Sequence, residues 1–159
     1  MARPGVTLAK LDAASAERLA AWVPEVARAV GFPALAQADA LLRLPRLRQR
    51  VVWSIAVGGV DEPAGLVVAT PVSDGAARIL LLTLRPELCR RGLGHLAALR
   101  AEEWFAARGA RWLLAAVSSR HGLSVYFWLR LGYRPLPSGE WPRCCDDAPE
   151  TGWMSRRIA

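Results

Sequence analysis

Cysteine, histidine and lysine are all scarce in this 159-residue chain. Its cysteines are Cys89, Cys144 and Cys145. An odd count with one adjacent pair is no disulfide framework. No CxxC spacing occurs, and His95 and His121 lie far apart in sequence, so no metal site is expected. Long apolar runs are missing as well. Nothing approaches the roughly 20 unbroken apolar residues of a membrane span. Met1-Ala2-Arg3-Pro4 leads into a mixed polar segment, not the apolar centre of a secretion signal. The expectation is a cytoplasmic protein with free thiols and no membrane partner. Repeats, low-complexity tracts and dividing linkers are also absent, and the length suits one domain.

Apolar residues and arginine are what the chain does have. A hydrophobic fraction of 53% argues against disorder. The net charge of +7 comes almost wholly from arginine, since Lys10 is the one lysine. Such a surface attracts polyanions. The densest cluster is Arg43, Arg46, Arg48 and Arg50. It reads first as a solvated face, second as the edge of a cofactor or substrate cleft. A nucleic-acid groove ranks third, because the charge forms no concentrated stripe.

The first fifty residues read as helices. Asp12 caps one running to about Val23, Pro24 opens another that Gly31 stops, and a third spans roughly Ala34 to Leu44. The pattern then turns to strands. Val51 to Val57 and Gly65 to Thr70 read as an antiparallel hairpin with a long loop. Arg78 to Leu84 is an apolar run suited to a strand buried on both faces. A loop from Arg85 to Gly94 precedes an alanine-rich helix, His95 to Arg108, closed by Gly109. Arg111 to Val117 is a further strand, Gly122 to Leu131 a short helix, Tyr133 to Leu136 a strand, and Trp153 to Ile158 a last antiparallel strand. This order gives a mixed α/β chain on one central sheet.

The loop before the alanine-rich helix carries the chemistry. A helix N-terminus presents unpaired N–H groups and the positive end of its dipole, and a phosphate fits there. Gly92 and Gly94 let the backbone approach such an anion, and Arg90 and Arg91 add charge beside them. Two rival readings fail. A dinucleotide fingerprint wants its first glycine directly after the strand and an acid about 20 residues on. Here Arg85 to Arg91 intervene, and Arg111 to Val117 holds no acid. A P-loop needs GKS or GKT, and neither occurs.

The segment instead resembles motif A of the GNAT superfamily of acyl-CoA-dependent N-acyltransferases. There, a buried strand leads through V-x-P to R/Q-x-x-G-x-G/A and a helix. Leu84-Arg85-Pro86 matches the turn, and Cys89-Arg90-Arg91-Gly92-Leu93-Gly94 the loop, with Cys89 in place of Arg or Gln. Phe127-Trp128-Leu129-Arg130-Leu131-Gly132-Tyr133 matches a second family segment at the right distance.

The resemblance implies a mostly antiparallel sheet, splayed at the cofactor site and flanked by helices. Residues 1–50 would form the acceptor side, 51–136 the sheet core with the CoA motif, and 137–159 a C-terminal loop and strand. Acetyl-CoA would be the acyl donor, and a small-molecule or peptide primary amine the acceptor. Leu82, Thr83 and Leu84 would bind pantetheine through their backbone. N–H groups from Arg91 through Gly92, Leu93, Gly94 and His95 to Leu96 would hold the pyrophosphate. An N–H near Leu84 would stabilise the oxyanion. Phe127 would border the cofactor. Many relatives pair through their C-terminal strands, which makes a homodimer compatible.

Acid and base are less visible. The strand Arg78 to Leu84 holds no carboxylate, and Thr83 at most positions a water. Trp128 stands where many relatives have a tyrosine acid. Tyr126 sits about 200° further round the helix and faces elsewhere. His121 falls where the family often has asparagine, and it reads as a pantetheine contact, a proton relay or an ordinary loop histidine. Glu87 and Glu140 read as solvated carboxylates or residues of the cleft mouth. Trp22, Trp53, Trp104, Trp112, Trp141 and Trp153 read as packing residues, with Trp53 and Trp141 also candidates for a substrate pocket.

Overall fold

The computed structural model describes residues 5–142 and 151–159. Cys144, Cys145 and most of the expected acceptor-shaping segment from Pro137 to Thr151 lie outside them. Seven strands form one sheet: β1 (Val6–Lys10), β2 (Val51–Val57), β3 (Gly65–Ala69), β4 (Ala76–Leu84), β5 (Trp112–Ser118), β6 (Arg134–Pro135) and β7 (Thr151–Arg157). Their order is β1-β2-β3-β4-β5-β7-β6. Among these strands only β4 and β5 run parallel, joined through the helix α4 (Leu93–Ala106). The sheet is therefore mixed and mostly antiparallel, as expected.

The strand β1 corrects the sequence reading, which placed only helices before residue 50. Val6 and Leu8 pair antiparallel with Val57 and Ile55. Val6-Thr7-Leu8 alternates apolar and polar, but the segment is too short to stand out before it finds β2. The helix from Asp12 is also shorter than expected. Asp12 does cap it, its carboxylate accepting from the Ser15 N–H at 2.7 Å. This helix, α1 (Ala13–Leu19), stops three residues before α2 (Val23–Ala29). The helix α3 (Ala38–Arg43) follows a separate 3-10 turn at Pro33–Leu35.

Each face of the sheet has its own apolar layer. Leu19, Val23 and Leu41 from α1 to α3 pack on Val52, Leu66, Val68 and Leu80. On the other face, Ala97, Ala98, Ala101 and Phe105 of α4 lie against Ile55, Val67, Ile79 and Leu113. Three alanines in that stripe bring the helix axis close to the strands. Trp53 lies buried beneath α4, edge-on to Trp104 at 5.0 Å and to Phe105 at 5.6 Å. It is a core residue. Trp112, expected to pack in the sheet, is instead among the exposed aromatics because it opens β5 at the sheet's margin.

One buried charge breaks the apolar stripe of α4. Glu102 accepts a hydrogen bond from the Tyr133 hydroxyl at 2.9 Å, and Arg156 donates to both its oxygens at 3.1 Å. These bonds tie α4 to the C-terminal strands. Burial, then the charge of Glu102, push the Tyr133 phenol far above its ordinary value.

Candidate active site

The strand β4 carries one residue more than its partner. Val68 of β3 faces Leu81, and Ala69 faces Ile79, so Leu80 is the extra residue of a β-bulge. Both Leu80 and Leu81 consequently pack into the layer beneath α1 to α3. At the same point β4 leaves β5. Their ladder runs from Ala76↔Trp112 to Ile79↔Ala115 and ends there. Beyond it, β5 pairs only with β7, out to Ser118↔Thr151. A wedge opens between Leu80–Leu84 and Ala116–Ser118.

The polar lining of this wedge combines backbone groups with the side chains of Thr83, Ser118 and Ser124. Arg85 donates its N–H to Ala64 at 2.8 Å, toward the β3 side. A side chain on Gly65 would collide with the Thr83 carbonyl oxygen, so Thr83 also turns its peptide groups to β3. Strand alternation then turns the N–H groups of Leu82 and Leu84 into the wedge. Two donors with no β5 strand partner thus face a gap whose side chains are mostly apolar.

The wedge holds a narrow cavity of about 60 Å³. Leu80 to Thr83 form one wall and Ala116 to Ser118 the other, with Ser124 and Trp128 closing one side. Val30, Gly31 and Phe32, at the end of α2, close the helical side. None of these residues is a carboxylate, a tyrosine or a histidine. Trp128 is buried, edge-on to Phe127 at 5.0 Å and to Tyr133 at 4.8 Å.

At the end of β4 the chain passes through a short 3-10 turn, Pro86–Leu88, into the glycine loop. Arg90 and Gly92 both have positive φ, 62° and 77°. Gly92 is the N-cap of α4 and offers no side chain to its first N–H groups. No acidic residue occupies the first turn, which leaves the positive end of the dipole uncompensated. Leu96 is committed: its N–H donates to Gly92 O at 3.2 Å. The open donors are therefore those of Gly92, Leu93, Gly94 and His95. Arg90, Arg91 and His95 stand exposed around them.

The two sequence motifs meet physically. A Cβ on Gly94 would stand 3.2 Å from Phe127 Cε2 and 3.6 Å from Leu84 Cδ1. Gly94 thus lets the helix start seat against Phe127 and the end of β4. This contact joins the glycine loop, the wedge and the helix α5 (Gly122–Arg130) into one region.

His121 has a definite local role. It is the N-cap of α5, and its Nδ1 accepts the Ser124 N–H at 3.2 Å. The Ser124 hydroxyl lies against the same nitrogen. An accepting Nδ1 puts the hydrogen of the neutral ring on Nε2. Sequence reading missed Ser124, whose signal was its place three residues after His121, the usual cap spacing.

The remaining candidates stand apart. Tyr126 is 58% exposed, as its helical position requires. Glu87 pairs with Arg85 at 2.8 Å on the surface, and Glu140 is exposed. The Cys89 thiol is directed at the Leu84 and Arg85 carbonyls, and burial followed by the Glu87 charge raise its pKa. A raised thiol is a poorer nucleophile at neutral pH. Trp141 donates from its indole to Leu136 O at 2.7 Å and lies close to Gly152, beside the end of β5. Among the described residues, no group of three or more His, Cys, Asp or Glu is placed to hold a metal ion, and no helix is long and apolar enough to cross a membrane.

The family model described as acetyltransferase (GNAT) family matches residues 16–133. A search of curated proteins gives no match. Solved structures with the same fold include an acetyltransferase from Thermus thermophilus, 22% identical with a TM-score of 0.67, covering 99% of each chain. A GNAT-family acetyltransferase from Staphylococcus aureus is 10% identical with a TM-score of 0.74, covering 98% of this chain and all (100%) of its own. A PaiA N-acetyltransferase from Thermoplasma acidophilum, in complex with coenzyme A, is 15% identical with a TM-score of 0.73, covering 96% and 99%.

Proposed function

Because the chain belongs to the acetyltransferase (GNAT) family, we propose that it transfers an acetyl group from acetyl-CoA to a primary amine by direct attack in a ternary complex. The observation that carries this reading is the wedge after Ile79↔Ala115, with the Leu82 and Leu84 N–H groups turned into it. Pantetheine is an extended chain of amides, and it can pair with the exposed edge of β4 as a missing strand would. The pyrophosphate then falls at the N–H groups of Gly92 to His95, flanked by Arg90 and Arg91. The thioester reaches the narrow cavity, whose volume of about 60 Å³ favours a short acyl group.

In the reaction the amine lone pair forms the N–C bond at the thioester carbonyl carbon. The carbonyl oxygen gains charge, and the Leu82 N–H, which faces the wedge beside that cavity, is the donor we assign to stabilise it, two residues before the expected Leu84. The C–S bond breaks, and the electron pair leaves with sulfur. Net, one proton passes from nitrogen to the thiolate, whose thiol type has a reference pKa near 8.5. The Ser124 hydroxyl is the polar group of the cavity that touches a titratable ring, His121. Trp128 shapes the wall and carries no proton in this scheme. Cys89 stays outside the reaction.

Release of free CoA thiol from acetyl-CoA over a panel of amines tests the reading. Amine-dependent release supports it; hydrolysis or silence with every amine counts against it. A second reading has its own support, namely a cavity without carboxylate or tyrosine. A non-catalytic acyl-CoA-binding protein would show calorimetric affinity for acetyl-CoA with no turnover.

His121→Asn separates the two roles of that residue. Asparagine is a good N-cap, so melting should stay close to that of the parent protein. If His121 moves the proton through Ser124, kcat falls by at least about tenfold. An unchanged kcat reduces His121 to a cap.

A further inference from the structure

A second and larger hollow opens on the helical side of the sheet. It measures about 610 Å³, within the roughly 300–1,000 Å³ usual for small-molecule sites. Its floor is apolar, made by Val68 and Leu80 of the sheet and by Leu35 and Leu44. Its rim is basic: Arg43, Arg46, Arg48 and Arg50 all line it, and no Asp or Glu does. Phe32 and Leu80 line both this hollow and the narrow cavity of the wedge. Leu80 is the bulge residue at which the sheet divides. The two spaces therefore adjoin at the point where the acyl carbon is expected.

An ordinary solvated arginine face lacks these features. The arginines surround a concave space with a hydrocarbon floor, and one end of it touches the wedge. Arg43 is held in place, its Nε donating to Asp39 O at 3.1 Å. Among the described residues, Arg46 and Arg48 have no acidic partner. A guanidinium fork matches a carboxylate or phosphate in two-point geometry.

We propose that this hollow is the acceptor site and that it selects a small amine whose far end is a carboxylate or phosphate joined by an aliphatic spacer. The anionic group pairs with the arginines, the spacer lies on Val68, Leu35 and Leu44, and the amine points past Phe32 and Leu80 into the wedge. The proposal rests on reading the wedge as the site of acyl transfer.

The test compares acceptors differing only in the anion: ε-aminocaproate with its amide, and aminopropyl phosphate with aminopropanol. The proteins are the parent chain and R46Q/R48Q. Binding of each amine to the CoA-saturated protein is measured by calorimetry, and CoA release is followed in parallel. Expected is a preference of at least about tenfold for one anionic member over its neutral partner, lost in R46Q/R48Q, with affinity for acetyl-CoA unchanged. The carboxylate and phosphate arms show which anion is preferred. Equal binding of charged and neutral partners overturns the proposal, as does a double variant that leaves the preference intact. Loss of affinity for a single-stranded oligonucleotide in R46Q/R48Q, with no preference among the amines, also overturns it, in favour of a nucleic-acid surface. If the anionic amine binds selectively but no CoA is released, the hollow stands and the transfer reading fails.

Discussion

Gly94→Trp is expected to weaken coenzyme A binding by at least about a hundredfold, the equivalent of roughly 2.7 kcal/mol. The reason is steric and local. The side chain would start 3.2 Å from Phe127 and 3.6 Å from Leu84, where the helix start, α5 and the end of β4 converge. An indole has no room there without tilting the first turn of α4 or expelling the Phe127 ring. Either movement takes the Gly92 to His95 amides away from the pyrophosphate. Gly94→Ala is the control. Its methyl group requires the Phe127 ring to yield by only a few tenths of an ångström. Its affinity should stay within about threefold of the parent, since such a small overpacking is tolerated. Titration calorimetry with CoA measures both, and thermal melts confirm folding. A folded tryptophan variant with parental affinity would sink the phosphate-loop assignment.

Glu102→Ala should cost about 2–3 kcal/mol of stability, a large share of the total for a chain of this size. The fully buried Tyr133 hydroxyl loses its acceptor, which accounts for most of the loss. The Arg156 side chain is 36% exposed and can turn to water, so it contributes less. Tyr133→Phe should cost less, about 1–1.5 kcal/mol, because Glu102 keeps Arg156. A double-mutant cycle by denaturant unfolding should give a coupling of about 1 kcal/mol or more. The pH dependence follows from the same bond. Folding favours the protonated phenol, so its contribution is intact below the ordinary phenol value near 10 and is lost as pH climbs above it. Unfolding between about pH 9 and about 11.5 should show this decline in the parent and a shallower one in Tyr133→Phe. Parallel curves would discount the bond.

The elements with local signals were legible in the sequence. Helix α4 followed from its alanines and Gly109, the hairpin β2–β3 from β-branched residues and turn glycines, and the loop that opens α4 from Gly92 and Gly94. The features that make a site depend on distant pairing. Val6–Lys10 becomes a strand only because β2 offers an edge to it. The surplus residue at Leu80 is defined by Ala69 and Val68 opposite, so nothing in Leu80-Leu81-Leu82 announces it. Nothing in the residues next to Glu102 marks it as a buried partner. Its partners arrive from 31 and 54 residues away. The arginines from Arg43 to Arg50 were visible as a cluster, but the hollow they surround takes half its floor from β3 and β4.

The surplus residue has a consequence for how such a cleft arises. A parallel pair of strands has no intrinsic reason to part; continuous pairing satisfies its backbone donors and acceptors. One residue of excess length in β4 puts its upper half out of phase with β5 while keeping it in phase with β3. Deleting Leu80 would bring the two halves back into phase and allow β4 and β5 to zip together. A closed sheet and an open site are thus alternative outcomes of nearly the same chain. The choice between them is a matter of counting residues, and it is made without a single polar side chain.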